Sequence, residues 1–288
     1  MLSVITPVYN GERFIEACMQ VVIDQQCPDI EHIIVDGGSK DKTVDIVKRY
    51  AGQYAHIRWL SEKDQGQSDA MNKGIAMAKG EVLAILNVDD HYEPNVLNRV
   101  SELFKALPEP SLLVGNCNIW DPNGFYGVNQ PSKLKLVDLL LGRRINQYPV
   151  NPSAYFYHTS LHQTAGLYDV SEHYAMDHDF LFRAVQIANI KYVNETWGNF
   201  CVSPGTKTAR DHSSGEGPRR VQRLIRKYRK QLPWHQRLAV TAIYELDRTL
   251  ERVRYFCKRP EEIIPKVQAK VAQSRLRVTA RVLAERRF

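Results

Sequence analysis

Apolar residues in this chain fall into short unbroken runs, each closed by an acid or a turn and followed by a stretch of helical spacing. Leu2-Ser3-Val4-Ile5-Thr6-Pro7-Val8 runs into Tyr9-Asn10-Gly11, after which Phe14, Cys18, Val21 and Val22 recur on one helical face. Ile33-Ile34-Val35 ends in Asp36, followed by Gly37-Gly38-Ser39 and a helix from about Asp41. Ile57-Arg58-Trp59-Leu60 leads to Glu62-Lys63-Asp64-Gln65-Gly66 and then to a helix with Asp69, Asn72 and Lys73 that ends near Gly80. Val82-Leu83-Ala84-Ile85-Leu86 ends at Asn87-Val88-Asp89-Asp90. Such runs read as strands buried on both faces, and the βαβαβαβ alternation predicts an α/β fold with a mostly parallel sheet and right-handed crossovers. Open sheets of this kind bind ligands at the carboxyl ends of their strands. Asp36, Asp64 and Asp89 are therefore expected along one rim.

Two readings of Asp89-Asp90 compete on the sequence alone. Paired carboxylates at a strand end suit a hard divalent cation that also holds phosphates. Alternatively, Asp90 caps a helix beginning after His91-Tyr92-Glu93-Pro94. The first turn has no G-x-G-x-x-G, and no G-x-x-x-x-G-K-[ST] loop occurs, which argues against a dinucleotide fold and a P-loop enzyme. An acidic rim repels a bare diphosphate, so phosphates must arrive with a cation or meet compensating Lys and Arg. Carboxylates also accept bonds from ribose hydroxyls and base N–H groups, so the rim points to a metal–nucleotide complex.

These segments resemble the family 2 glycosyltransferases. Thr6-Pro7-Val8-Tyr9-Asn10 is similar to the family's opening strand motif and Val35-Asp36-Gly37-Gly38-Ser39-Lys40-Asp41-Lys42-Thr43 to its second. Asp64-Gln65-Gly66-Gln67-Ser68-Asp69-Ala70-Met71-Asn72-Lys73-Gly74 is similar to its third, and Leu86-Asn87-Val88-Asp89-Asp90 to its metal motif. Gly166-Leu167-Tyr168-Asp169 with Met176-Asp177-His178-Asp179-Phe180-Leu181-Phe182-Arg183 resembles the acceptor-side segment that carries the base. Five motifs in order cover roughly residues 1 to 215. The resemblance implies a GT-A fold, a Rossmann-like central sheet flanked by helices. It also implies an inverting transfer from a nucleotide-diphosphate sugar, UDP-linked, to a glycan or lipid-linked hydroxyl in polysaccharide synthesis.

Roles follow from the resemblance residue by residue. Asp36 and Asp64 would contact base and ribose, Thr6, Pro7 and Tyr9 would shape the base pocket, and Asn72 and Lys73 belong to the nucleotide-binding set. Asp89 would hold Mn²⁺ or Mg²⁺, Asn87 and Asp90 would face the donor sugar, and Asp177 would be the general base. Asn87 departs from the Asp that commonly opens the metal motif, keeping an oxygen donor but removing a charge. Asp179 reads as structural, a first-turn charge on its helix. His212 is a further metal candidate, in a Gly/Ser/Thr-rich stretch where Lys207 and Arg210 could pair phosphates beneath a lid. Arg143-Arg144 and Asn151 to Phe156 lie where the family places its acceptor surface. Two alternatives stand beside the transferase: a sugar-nucleotidyltransferase, whose Gly-rich basic loop Val8-Tyr9-Asn10-Gly11 lacks, and a non-catalytic membrane-binding scaffold on the same fold.

Composition adds a second electrostatic object. Residues 219–288 carry 20 Lys+Arg against 6 Asp+Glu, a net of +14 in a chain of net +7, which leaves −7 for residues 1–218. The expected division is thus a catalytic domain over 1–218, with a nucleotide half to about 115 and an acceptor half after it, and a basic helical extension over 219–288. That extension reads as helices near Val221–Tyr228, Trp234–Cys257 and Glu261–Arg286, and a basic amphipathic helix suits an anionic membrane surface. A helix packed on the domain or on a second copy is the competing reading, and no nucleic-acid module is recognisable. Five scattered cysteines without C-x-x-C spacing and no secretion signal or long apolar span set the expectation of a cytoplasmic enzyme, peripheral at most to the membrane.

Overall fold

A computed structural model describes residues 1–202 and 215–259. Its elements in chain order are β1 (Leu2–Val8), α1 (Ile15–Ile23), β2 (Ile30–Asp36), α2 (Thr43–Ala51), β3 (Ile57–Ser61), α3 (Gln67–Met77) and β4 (Val82–Ile85). Then come β5 (His91–Tyr92), α4 (Val96–Phe104), β6 (Ser111–Asp121), β7 (Gly124–Asn129), α5 (Leu136–Leu139), a 3-10 turn Pro152–Ala154 and β8 (Tyr155–His158). The last are α6 (Leu161–Ala165), α7 (Met176–Ala184), β9 (Asn189–Cys201), α8 (Glu216–Gln231) and α9 (Trp234–Lys258).

The sheet runs β3-β2-β1-β4-β8-β6-β9-β5, with β7 paired to β6. β1 is parallel to β2 and β4, and β2 to β3. β8 is antiparallel to both β4 and β6, so β6 runs the same way as β4, and β9 runs parallel to β6. The expected parallel sheet holds for the first four strands, and their carboxyl ends share a rim with those of β6 and β9. One apolar layer joins Leu2, Val4, Cys18, Val22, Ala84, Leu97 and Trp197, and a second joins Val8, Ile15, Met19, Ile34 and Val47. The opposite face of β1 is met by α3 at close range. A Cβ on Gly74 would lie 2.4 Å from Ile5 Cγ2, so only glycine lets the helix approach the strand this closely.

The chain divides into two compact units, Met1–Arg237 and Leu238–Phe288. The boundary expected after 218 therefore lies later, because α8 is part of the first unit. Leu224, Ile225 and Tyr228 are buried, Tyr228 Oη donates to Asp179 Oδ1 at 3.0 Å, and Arg229 donates to the Leu140 carbonyl. In the second unit, Leu238, Ile243, Leu246, Leu250 and Val253 of α9 are exposed. The third expected tail helix, near 261–286, lies outside the described residues. Among the described residues, no helix is long and apolar enough to cross a membrane.

Candidate functional site

The turns that follow β1 and β2 are laced together. Asn10 N donates to Ser39 Oγ at 2.7 Å, Lys40 N to Asn10 Oδ1 at 2.9 Å, and Glu12 N to Asp41 Oδ2 at 3.0 Å. Burial acts to raise Asp41, but the hydrogen bonds from Thr43 and the backbone outweigh it and hold the carboxyl below its usual range. Tyr9, just after β1, is 60% exposed, while Pro7 is buried in β1.

Asp36 ends β2 only 2% exposed. Its Oδ2 accepts from Gly38 N and Ser39 N, both at 3.0 Å, and from Ser61 Oγ at 2.7 Å. Its Oδ1 is equally buried and has no partner. Asp64 arrives from the next strand end and rests on the Cα of Gly37, where a Cβ would lie 2.3 Å from Asp64 Oδ2. The glycine after Asp36 thus exists to let the second carboxylate in. Asp64 Oδ1 is fixed by Gly66 N at 2.9 Å.

A line of side-chain amides then runs along the rim. Gln67 Nε2 donates to Asn87 Oδ1, Asn87 Nδ2 to Asp90 Oδ2, both at 2.9 Å, and Asn151 Nδ2 to the same Asp90 oxygen at 2.6 Å. Cys201 N donates to Asp90 Oδ1 at 3.1 Å. Asp90 is 4% exposed and occupied by three donors, so it braces β4, β9 and the turn at Asn151 rather than facing the cleft. Nor does it cap a helix: α4 starts later, with Asn95 at its N-cap in the left-handed region at φ 64°. Asp89 is only half-buried. Burial pushes Asp89 up, and burial with the Asp89 charge pushes Asp90 up to about 7.

Asp177 and Asp179 part company on α7. Asp179 accepts from Arg183 Nε at 2.9 Å and from Tyr228, the structural role expected of it. Asp177, in the first turn, lies toward a buried aromatic cluster: after burial, its charge is the next cause raising the Tyr155 hydroxyl, and it also raises Tyr157 and Tyr168. Tyr157 Oη lies 3.3 Å from Tyr168 Oη and 3.2 Å from His162 Nε2. His162 Nδ1 is 3.0 Å from the Gly166 carbonyl, which only accepts, so the ring proton sits on Nδ1 and Tyr157 donates to Nε2. Phe180, one turn along α7, packs on all three rings.

Three expected site residues are engaged elsewhere. The Thr6 hydroxyl is buried against His32 Nε2 at 2.9 Å, beneath the sheet. Asn72 gives both amide atoms to the backbone of Tyr168, Nδ2 to its carbonyl at 2.9 Å and Oδ1 to its N–H at 3.0 Å. Lys73 pairs with Glu62 at 2.8 Å and Asp69 at 3.3 Å, and the Glu62 bond holds its ammonium above the usual range. These two tie α3 to its own loop and to the acceptor half, a use that sequence spacing does not separate from ligand binding. Conversely, Gln67, Asn151 and the Tyr157–Tyr168–His162 cluster were given no individual role by the sequence. His212, Lys207 and Arg210 lie outside the described residues.

Asn87 Oδ1 and both Asp90 oxygens already have donors, so within this segment Asp89 is the carboxylate that could hold a cation. Among the described residues no three His, Cys, Asp or Glu side chains cluster as a self-sufficient metal site. One protein carboxylate with diphosphate and water oxygens is nonetheless the ligand set Mg²⁺ prefers.

Residues 3–155 match the family described as Glycosyl transferase family 2. An uncharacterized glycosyltransferase of Escherichia coli K12, YibD, is 38% identical over 117 residues, 41% of this chain and 33% of its own length. A PGL/p-HBAD biosynthesis glycosyltransferase of Mycobacterium bovis BCG is 32% identical over 185 residues, 64% of this chain and 69% of its own length. The chain thus spans a third of one relative and about two thirds of the other. The crystal structure of S. aureus TarS shares the fold at TM-score 0.63 and 21% identity, covering 84% of this chain and 42% of that one. With the family matched over more than half of this chain and the sheet and rim in place, the chain belongs to glycosyl transferase family 2 and has the GT-A fold.

Proposed function

We propose that the chain moves a sugar from a uridine-diphosphate donor to a hydroxyl of a glycan or lipid-linked acceptor in polysaccharide synthesis, with inversion at the anomeric carbon. The observation that carries this reading is Asp36. A buried carboxylate with one oxygen triply bonded and the other without a partner costs stability in the empty protein unless a ligand N–H completes it. The N3–H of uracil is such a donor. Asp64, packed against Gly37, supplies acceptor oxygens for ribose hydroxyls beside it. Structures of TarS fragments bound to UDP and to UDP-GlcNAc, of the same fold, support a nucleotide-sugar donor.

Asp177 serves as general base. As the acceptor oxygen bonds to the anomeric carbon, its proton passes to the Asp177 carboxylate. The bond from that carbon to the phosphate oxygen breaks, and its electron pair leaves on the diphosphate. Asp89 would hold Mg²⁺ or Mn²⁺, which when bound offsets the charge of the departing diphosphate. A fold relative, a Pyrobaculum calidifontis mannosyltransferase, was solved in complex with GDP-Man and Mn²⁺, which supports the use of a divalent cation.

Calorimetric titration of UDP, GDP and dTDP, each with Mn²⁺ and with EDTA, tests the donor side. UDP is expected to bind best, with metal, and Asp36→Asn to weaken it by roughly tenfold, the loss of one charge-assisted bond. Asp177→Asn should abolish turnover while leaving UDP binding intact. Equal binding of UDP by wild type and Asp36→Asn would remove the base-pocket assignment.

A further inference from the structure

The exposed side of α8 carries a row of cations, three of which take no part in the ion pairs of the fold among the described residues. The helix holds seven Lys or Arg and a single acid, Glu216. Arg219, Arg223, Arg226, Lys227 and Lys230 recur at helical spacings of three and four, so they lie on one stripe, all exposed. From Arg219 to Lys230 the stripe is about 17 Å long at the usual rise of an α-helix. Arg219 meets Glu216 at 3.4 Å in solvent, and Lys227 reaches the buried Asp179 at 4.0 Å. Arg223, Arg226 and Lys230 form no ion pair among the described residues.

The helix is bolted to the acceptor side of the molecule. Tyr228 binds Asp179 and packs edge-on against Phe182, both on the helix that carries Asp177, and Arg220 pairs with Glu172 at 3.3 Å. Arg220, Arg223, Leu224 and Lys227 of α8 face Asp169, Glu172 and Asp179 across a cleft of about 320 Å³. Its three acids already have partners: Ser171 for Asp169, Arg220 for Glu172, Arg183 and Tyr228 for Asp179. Of the stripe, Arg223, Arg226 and Lys230 are thus left without an acid partner among the described residues.

We infer that this stripe binds the remote part of a phosphate-bearing glycan acceptor, holding the chain while its end is at the transfer site. A line of fixed cations matches a linear polyanion, and three of the five are arginines, whose planar forks match phosphate oxygens. Insertion into a bilayer is a poor fit, because the apolar face of α8, Leu224, Ile225 and Tyr228, is buried in the domain and its outer face is polar. The inference rests on the glycan-acceptor reading above but not on the identity of the donor nucleotide or the base.

The probe is linear inorganic polyphosphate, titrated into the full-length enzyme across a range of salt. Arg223→Gln/Arg226→Gln/Lys230→Gln is compared with a control of equal charge change on other exposed lysines, Lys79→Gln/Lys105→Gln/Lys191→Gln. The stripe variant should bind polyphosphate at least tenfold more weakly and lose about one unit of log–log salt slope per charge removed. The control should stay within twofold of wild type. Asp177→Asn should bind polyphosphate like wild type, so a wrong base assignment leaves this result standing. Equal losses in the two triple variants would overturn the inference. So would failure of wild type to bind polyphosphate while it binds phosphatidylglycerol vesicles through the same three residues, since the stripe would then be a lipid contact.

Discussion

Replacing Asn72 by Ala separates a ligand-binding role from the bracing role its geometry shows. The side chain makes two hydrogen bonds, 2.9 and 3.0 Å, to the carbonyl and N–H of Tyr168, a residue only 2% exposed. Truncation leaves a buried donor and a buried acceptor without partners at about 1–3 kcal/mol each, so the net loss is about 2–4 kcal/mol after some relaxation. For a unit of this size that lowers Tm by roughly 4–12 °C. Asn72→Asp should be at least as damaging, because one oxygen still accepts from the Tyr168 N–H while the other is turned against the Tyr168 carbonyl. The assay pairs thermal unfolding with UDP calorimetry well below the variant's Tm. UDP affinity should stay within twofold of wild type while Tm falls. A tenfold loss of UDP affinity with Tm unchanged would refute the reasoning and return Asn72 to the nucleotide.

Gly37→Ala should leave the fold nearly as stable, since Gly37 is not in the left-handed region, yet its new Cβ pushes the Asp64 carboxylate aside. UDP affinity falling on the order of tenfold is the expected reading, and unchanged affinity would take Asp64 out of the pocket. His32, held down to about 3 by burial and then by His56, is neutral when folded, so its stabilisation is present above its unfolded pKa and is lost as pH falls from about 6.5 toward 3. Urea midpoints measured across that window should drop more steeply for wild type than for His32→Gln; parallel curves would count against it. A membrane contact of the basic extension would fall on α9, whose Leu246 and Leu250 are exposed. Flotation with anionic vesicles should be reduced in Leu246→Glu/Leu250→Glu, and equal recovery would defeat the anchor.

The order of the first four strands and the acids at their ends could be read from the chain because apolar runs and terminal acids are local signals. β1, β2 and β4 are buried almost throughout, so their runs stand out, and Asp36, Asp64 and Asp89 follow at or beyond the strand ends. The antiparallel insertion of β8 between β4 and β6 was not legible, since Tyr155-Phe156-Tyr157-His158 carries no mark of which neighbour it will pair with. Helix starts were misjudged where the cap is unusual. The helix expected after Asp90 begins at Val96, behind Asn95 in a left-handed conformation, because His91 and Tyr92 are first drawn into pairing with β9. α8 was assigned to a separate tail because its charge dominates its composition, while the three residues that dock it, Leu224, Ile225 and Tyr228, form a narrow stripe.

The same distinction explains which site assignments changed. A motif records that a polar residue is present at a position; it does not record whether its hydrogen-bonding capacity is spent. Asp36 and Asp90 are both buried carboxylates at strand ends, each accepting three hydrogen bonds. In Asp36 all three fall on one oxygen, and the other is left for a ligand. In Asp90 they are divided over both oxygens, with Asn87 and Asn151 on one and Cys201 on the other, so the group joins three segments of the rim. Asn87, the residue that departs from the family's usual Asp, belongs to that junction as well. An aspartate there would face Asp90 with lone pairs instead of an N–H, adding a third negative charge to a pair whose carboxyls burial already pushes upward. The amide at position 87 therefore spares the Asp89–Asp90 pair a third charge and donates to Asp90, while Asp89 could offer its carboxylate to a cation.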